Sequence, residues 1–324
     1  MPDISILASS KYMLAAAPLE KGGVAMLAVY ETDKGKLVHP FVRRAIPDTD
    51  DWFDLISVFD FGGFWMLAET TENGRRLVRG FEEAFGTWCL ENNIVCEFVR
   101  LHPFVSFDTT LLSAYDVDLF CENVAIDLSA GYDRIFSEFS NSRQKQVRQG
   151  REKYGLTAEE IDDPALFTEV FHENLRRINS SGFYFFPQSF IREITPLSRM
   201  FFARTPEGEI CAAHLYLVDG PVIFAYLCHG VAEHHHLRPN DFLYDHVLDR
   251  FSRDGFKSFH FGGGAKSLMA YKKSFGPGRV NYRIANRIFN REVYDELSAG
   301  KIAQGASGFF PRYRQKTKSM SQDA

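Results

Sequence analysis

Residues 200–228 read MFFARTPEGEICAAHLYLVDGPVIFAYLC, and their punctuation decides the fold. Three apolar, β-prone runs, Met200 to Arg204, Ile210 to Val218 and Val222 to Cys228, are separated by Thr205-Pro206-Glu207-Gly208 and by Asp219-Gly220. Gly and Asp accept the unusual backbone angles of tight turns, so the stretch reads as a three-stranded meander. Downstream, Phe242, Leu243, Val247 and Phe251 recur at helical spacing, with Asn240 placed to cap the helix and Asp254-Gly255 placed to end it. Lys257 to Phe261 follows as a strand.

The same grammar holds toward the N-terminus. Gly23 to Tyr30 and Leu37 to Val42 flank the turn-compatible Glu31 to Lys36 as a hairpin, and Phe53 to Leu67 is strand-like material cut by Gly62-Gly63. Arg76 to Leu90 then sets Leu77, Phe81, Phe85 and Trp88 on one helical face, and Asn92-Asn93 ends that pattern before the strand-like Ile94 to Val99. Hairpin or meander, helix, strand: the pattern predicts two copies of one α/β unit. Tyr132 to Tyr154 and Pro164 to Asn179, both of helical period, lie between them. The expected boundary is near residue 155, giving domains 1–155 and 156–311, with 312–324 as a basic, frayed tail.

Composition bounds the function. The chain has 324 residues, 45% hydrophobic and 24% charged, with a net charge of -5, so it is globular and lacks the strong cationic field of a general nucleic-acid binder. No apolar run approaches the roughly 20 residues of a membrane span. The start of the chain has no basic region ahead of an apolar stretch, and the five scattered cysteines include no CxxC pair, so the expectation is a cytoplasmic protein without a disulfide framework. Nothing in the pattern reads out an oligomeric state. The 31 phenylalanines read mainly as core.

Local chemistry departs from this average in two places. Ser142 to Lys153 concentrates Arg143, Lys145, Arg148, Arg151 and Lys153 against Glu152. Guanidinium groups suit phosphate oxygens because their planar fork donates two parallel hydrogen bonds, although a solvated helix face carries the same charges. Arg143 and Arg148 lie five residues apart and would converge only at a bend or a helix end. The second place is Gly262-Gly263-Gly264, at a strand's end and ahead of Lys266 to Gly276. Consecutive glycines let a ligand approach the backbone, though a plain tight loop does as well. A lysine fixed between Tyr271 and Phe275, which both Lys272 and Lys273 offer, would bring a cation to a partly dry site and stabilise an oxyanion or hold phosphate, although an ordinary exposed helix face carries the same two lysines.

Other chemistries find little support. His234-His235-His236 cannot all face one ion from an extended segment, so no metal site is expected there. His102 and His260 read as structural, and there is no GxSxG elbow and no HExxH.

Taken in order, several stretches resemble the FemABX aminoacyltransferases that build peptidoglycan bridges, and their wider relatives in the GNAT-like acyltransferase superfamily. They are Leu55 to Gly63, Glu97 to Pro103, Asn123 to Leu128, the basic helix Arg143 to Gly155, Phe183-Tyr184-Phe185-Phe186, Leu237 to Asn240, the glycine triplet, and Leu268 to Phe275. In the last of these, Tyr271-Lys272-Lys273-Ser274-Phe275 is similar to the family's Phe-Lys-x-x-Phe. Phe59 and Phe61 stand where the Gly-pair motif carries Tyr. The resemblance implies two tandem GNAT-like domains with a cleft between them. It implies transfer of an acyl group, usually from aminoacyl-tRNA, to an amine of a peptidoglycan precursor or another small metabolite. It places Lys272, with Lys273 beside it, at the reaction centre, and Arg143 or Arg148 on an acceptor phosphate. Gly262, Gly263, Gly264, Tyr271, Arg100 and Asp60 complete the implied substrate-binding set.

No bound cofactor is expected; the donor is a co-substrate, aminoacyl-tRNA presenting its acceptor end, or alternatively acyl-CoA. Against CoA stands the helix opening Arg238-Pro239-Asn240-Asp241, where Pro239 lacks an amide hydrogen and Asp241 repels pyrophosphate. A GNAT-shaped binding protein without catalysis is the alternative of another class.

Overall fold

The computed structural model describes residues 4–68, 70–177, 179–180, 182–300 and 309–315. The chain forms two compact units: unit 1 takes residues 1–8, 16–120 and 282–324, and unit 2 takes residues 9–15 and 121–281. The short helix α1 (Ser10–Ala16) therefore belongs, up to Ala15, with unit 2.

Unit 1 is built on the hairpin β1 (Val24–Thr32) and β2 (Gly35–Ala45), followed by β3 (Phe53–Ile56), β4 (Trp65–Ala68), α2 (Thr71–Glu91) and β5 (Ile94–Leu101). Thr70 caps α2 by accepting from the Asn73 amide, and the predicted stripe is buried through Leu77, Phe81 and Phe85, joined by Val78 and Cys89. Asn93, in a left-handed conformation, turns the chain into β5, as the Asn pair foretold. β5 lies parallel to β3, the arrangement that a strand, crossover helix and strand produce.

β6 (Asp116–Asp127) carries the chain into unit 2. There follow α3 (Tyr132–Glu138), α4 (Asn141–Arg148), a π-turn at Gln149–Lys153, β7 (Thr157–Glu160), α5 (Pro164–Arg177) and α6 (Gln188–Ile194). The predicted meander is β8 (Ser198–Arg204), β9 (Ile210–Asp219) and β10 (Val222–Gly230), and it leads through α7 (Pro239–Arg253) to β11 (Ser258–Gly262) and α8 (Lys266–Lys273). β12 (Arg279–Ile288), α9 (Arg291–Ser298) and a 3-10 turn at Arg312–Arg314 follow. Within unit 2 neighbouring strands run β7-β8-β9-β10-β11-β6, and within unit 1 they run β1-β2-β3-β5-β12 with β4 also on β2.

The two units thus repeat one strand plan, each with an antiparallel hairpin, a parallel βαβ pair and a last antiparallel strand from a distant part of the chain. The chain is α/β, as expected. Its compact units divide at 120–121 and 281–282, so residue 155 lies inside unit 2. The reason is packing: Val147 and Leu156 are buried in one cluster with Phe242, Leu243 and Phe275. The helical stretch 132–154 is broken, because Phe139 is extended and Ser140 starts a new helix by accepting from the Arg143 amide. At α7 the cap is Arg238, in left-handed backbone, with Pro239 at the first helical position where its missing N–H costs nothing. Asn240 lies one residue inside the helix.

The basic tail also needs correction over residues 312–315; residues 316–324 lie outside the described residues. Asp54 of β3 has no exposed side-chain surface and accepts from Arg44 Nε at 2.9 Å, from Tyr313 Oη at 3.1 Å and from Arg314 Nη2 at 3.0 Å. A buried carboxylate demands cations, and the end of the chain supplies one. Arg314→Ala is expected to lower stability by about 1.5–3 kcal/mol, the range for hydrogen bonds to a charged group, whereas Arg312→Ala leaves it within about 0.5 kcal/mol. Urea unfolding of both variants checks this.

Candidate active site

The chemistry of unit 2 collects where two parallel strands part. β10 and β11 are in register at Val222↔Ser258, Ile223↔Phe259 and Phe224↔His260, and no pairing between them follows, although β10 runs on to Gly230 and β11 to Gly262. The backbone of β10 beyond Phe224 is therefore released from β11. Its register with β9 also shifts, from Ala225↔Tyr216 to Leu227↔Leu215, so Tyr226 is the extra residue of a bulge. Parallel strands that separate at their carboxyl ends make a natural ligand crevice.

Lys272 marks this opening. Its half-buried ammonium donates to the Gly263 carbonyl at 2.6 Å, just past the end of β11, and lies near enough to Cys228 of β10 to act on it electrostatically. Gly262, at φ 75°, and Gly264, at φ 144°, hold backbone that side chains disfavour, and a Cβ on Gly263 would stand 2.6 Å from Asn123 Oδ1. The triplet is therefore required by the turn itself. Lys273, the next residue, is exposed.

Behind Lys272 lies a buried polar chain that sequence reasoning missed. The Cys228 thiol bonds to the hydroxyls of Tyr244 and Tyr216, and burial pushes its pKa up to about 12 even though Lys272 pulls it down. It stays a thiol, which removes it as an enzyme nucleophile. Burial also holds the Tyr216, Tyr244 and Tyr271 hydroxyls well above their ordinary range, so all three stay protonated. Tyr216 donates to His214 Nδ1 at 2.6 Å, and His214 Nε2 donates to Asn240 Oδ1 at 3.0 Å. The pairing of β9 with β10 follows from the expected meander; what sequence could not give is its register, shifted at the bulge, which sets residues 214–216 beside 225–228.

Arg143 is placed differently from its expected role. Its side chain is 8% exposed, pairs with Asp241 of α7, donates from Nε to Ser274 Oγ at 2.9 Å and lies over the rings of Tyr271 and Phe275 at 4.2 and 4.7 Å. Tyr271 donates to the same Asp241 at 2.9 Å. Arg143 thus clamps α4, α7 and α8 together at the edge of a cavity of about 240 Å³ lined by His235, Arg238, Pro239, Asn240, Asp241 and Tyr271. Burial raises the pKa of Asp241, and Arg143 opposes that rise. Arg148 does not converge with Arg143: it is exposed, 5.4 Å above the Phe136 ring.

Asp60 and Arg100 belong to unit 1. Asp60 is half-buried at φ 77°, a strained angle for a non-glycine residue. Arg100 holds the preceding loop, donating from Nη2 to the carbonyls of Ser57 and Val58, both at 3.0 Å. His102 accepts from the Phe104 amide at 3.2 Å, and His260 pairs with Asn123 at 3.1 Å, both structural arrangements. The triple histidine lies in the 3-10 turn Ala232–Leu237, where His235 bonds to the Gly230 carbonyl. Among the described residues no group of three or more His, Cys, Asp or Glu could hold a metal ion.

Residues 137–273, from the end of α3 to the end of α8, match an acetyltransferase (GNAT) domain family. No curated protein matches the chain in sequence. Among solved structures, FemX is similar over 91% of this chain and 95% of its own, with a TM-score of 0.71 at 12% identity. The C-terminal DUF2156 domain assigned to a lysylphosphatidylglycerol synthetase from Agrobacterium fabrum covers 89% of this chain and 91% of its own, at TM-score 0.54 and 16% identity. L-PGS from Bacillus licheniformis covers 86% and 92%, at TM-score 0.52 and 14% identity. At these identities the likeness is one of fold. No helix among the described residues is long and apolar enough to cross a membrane.

The buried histidines set a pH dependence. Burial lowers His214 to about 3 and His229 to about 4, whereas the unfolded chain takes up these protons near pH 6.5. Between those limits the unfolded state binds more protons, so acid drains stability. Asp245, pushed up to about 6 by burial, works the other way over the same window. His229→Gln is therefore expected to flatten the loss of stability between about pH 6.5 and about pH 4, and Asp245→Asn to steepen it, as read from urea midpoints across that range.

Proposed function

From the acetyltransferase (GNAT) domain at residues 137–273, the chain is an acyltransferase, and we propose that it transfers an aminoacyl group from aminoacyl-tRNA to an amine at the split between β10 and β11. The observation that carries this reading is Lys272, whose ammonium donates to the Gly263 carbonyl just past the end of β11 and acts electrostatically on Cys228 of β10. The acceptor amine attacks the acyl carbonyl, and the carbonyl oxygen takes up the negative charge. Lys272 and the backbone of β10 beyond its register with β11 face that charge. The C–N bond forms as the ester C–O bond breaks, and the amine's proton passes to the departing ribose oxygen. No enzyme nucleophile takes part, in keeping with a Cys228 thiol that stays protonated.

The choice of donor rests on α7. A CoA pyrophosphate wants the free amides and positive dipole of a helix opening. Here Pro239 offers no amide hydrogen, and the Asp241 carboxylate already occupies the first turn, paired with Arg143 and Tyr271. The resemblance to the FemABX family points the same way, and it names an amine of a peptidoglycan precursor or other small metabolite as acceptor. With Arg143 engaged, Arg148 is the arginine left for an acceptor phosphate. Acyl-CoA is the second reading, favoured by the acetyltransferase family match itself.

Purified protein given charged tRNA or acetyl-CoA, with a panel of amines that includes peptidoglycan precursors, should consume only the charged tRNA. Consumption of acetyl-CoA alone would establish the second reading, and consumption of neither would remove the enzyme reading. Lys272→Met is expected to lower kcat by about 10²–10³-fold with donor affinity largely kept, by single-turnover assay and direct binding. Lys273→Met should change neither.

A further inference from the structure

The bulge at Tyr226 has an anchor outside the strands. α1 places Tyr12, which has 0% exposure, with its hydroxyl 2.8 Å from the Tyr226 hydroxyl and the two rings edge to face at 6.4 Å and 74°. The helix is fixed at its start, since the Tyr12 amide donates to Ser9 Oγ at 3.2 Å and the Met13 amide to the Ser9 carbonyl at 2.9 Å. Tyr226 is itself the inserted residue of β10, in the stretch that has left β11. Beyond the bulge β10 resumes its pairing with β9 from Leu227 to Gly230, and a bulge takes its backbone angles from what its inserted residue packs against as well as from the ladder. The side chain of Tyr226 supplies such a hold through Tyr12.

We infer that Tyr12 is a positioning residue: through its hydroxyl it fixes Tyr226, and through Tyr226 it sets the β10 backbone that faces the acyl carbonyl. The inference rests on the proposed acyl-transfer reading for its effect on rate, but not for its effect on the bulge. It gives the segment 9–15, which joins unit 2 although its chain neighbours on both sides belong to unit 1, a part in the reaction. A misplacement of this backbone weakens an interaction made in the transition state more than one made with bound donor, so kcat falls and KM does not.

The test is Tyr12→Phe, which removes one hydroxyl and keeps the ring. The expected result is a kcat lowered about tenfold or more with donor KM within about twofold, together with faster hydrogen exchange at the amides of residues 226–228 and unchanged exchange in β8. Tyr226→Phe should give the same pair of changes, and the double variant should add little to either, as required of two groups that act through one bond. Leu14→Ala, on the exposed side of α1 at 66% exposure, should alter neither. A Tyr12→Phe protein with a lowered Tm but wild-type kcat and wild-type exchange at 226–228 overturns the inference. Absence of turnover in the wild type with either donor removes the acyl-transfer reading instead. The exchange comparison then still decides whether Tyr12 holds the bulge, and equal exchange overturns it.

Discussion

The parting of β10 from β11 is the constraint on which the rest of unit 2 depends. Backbone amides and carbonyls must find partners, and a strand that leaves its neighbour while remaining in the core is tolerated only where something else meets its polar groups. In unit 2 the parting is lined by Lys272, by the hydroxyls around Cys228 and by the glycine triplet. Unit 1 starts from the same parallel pair, β3 and β5, and closes it. Ser57 Oγ accepts the Arg100 amide at 2.8 Å, the Gly62 amide donates to the Arg100 carbonyl at 2.8 Å, and the Arg100 side chain ties down the loop carbonyls. One architecture thus lets its parallel pair part in unit 2 and bridges the ends of that pair with hydrogen bonds in unit 1. The difference lies in side chains and loop path, not in topology.

Electrostatics in unit 2 follows from dryness. Burial raises the tyrosine and cysteine pKa values and lowers those of His214 and His229, so the groups around the opening are neutral donors and acceptors near neutral pH. Lys272 brings a cation among these groups, and the Arg143 guanidinium is paired with Asp241. A cation among neutral dipoles suits a reaction in which negative charge appears on one oxygen and then leaves with the donor.

Local features of this architecture were legible in the sequence. Helical spacing over Leu77, Phe81 and Phe85, the Asn pair after α2 and the two turns of the meander each depend on neighbours within a few residues, and each held. What depends on distant neighbours was not legible. No local signal says that β6 pairs with β11 or β12 with β5, and the expected boundary near residue 155 failed to anticipate the actual division for that reason. The basic run looked like one feature, yet Arg143 and Arg148 face opposite circumstances because only Arg143 meets Asp241. The Pro239 signal was present and outweighs Asn240 as a marker of the helix start. Arg314 looked like tail because nothing near it in sequence shows that Asp54 waits for a second cation.

In the proposed reaction the acyl carbonyl is held by β10 and Lys272, and a crystal structure of the protein with a stable analogue that joins an aminoacylated adenosine end to an amine acceptor decides whether it is. The analogue's carbonyl oxygen is expected within hydrogen-bond distance of Lys272 Nζ or of a backbone amide in residues 225–228. An analogue bound with that oxygen elsewhere, and with the β10–β11 opening empty, contradicts it.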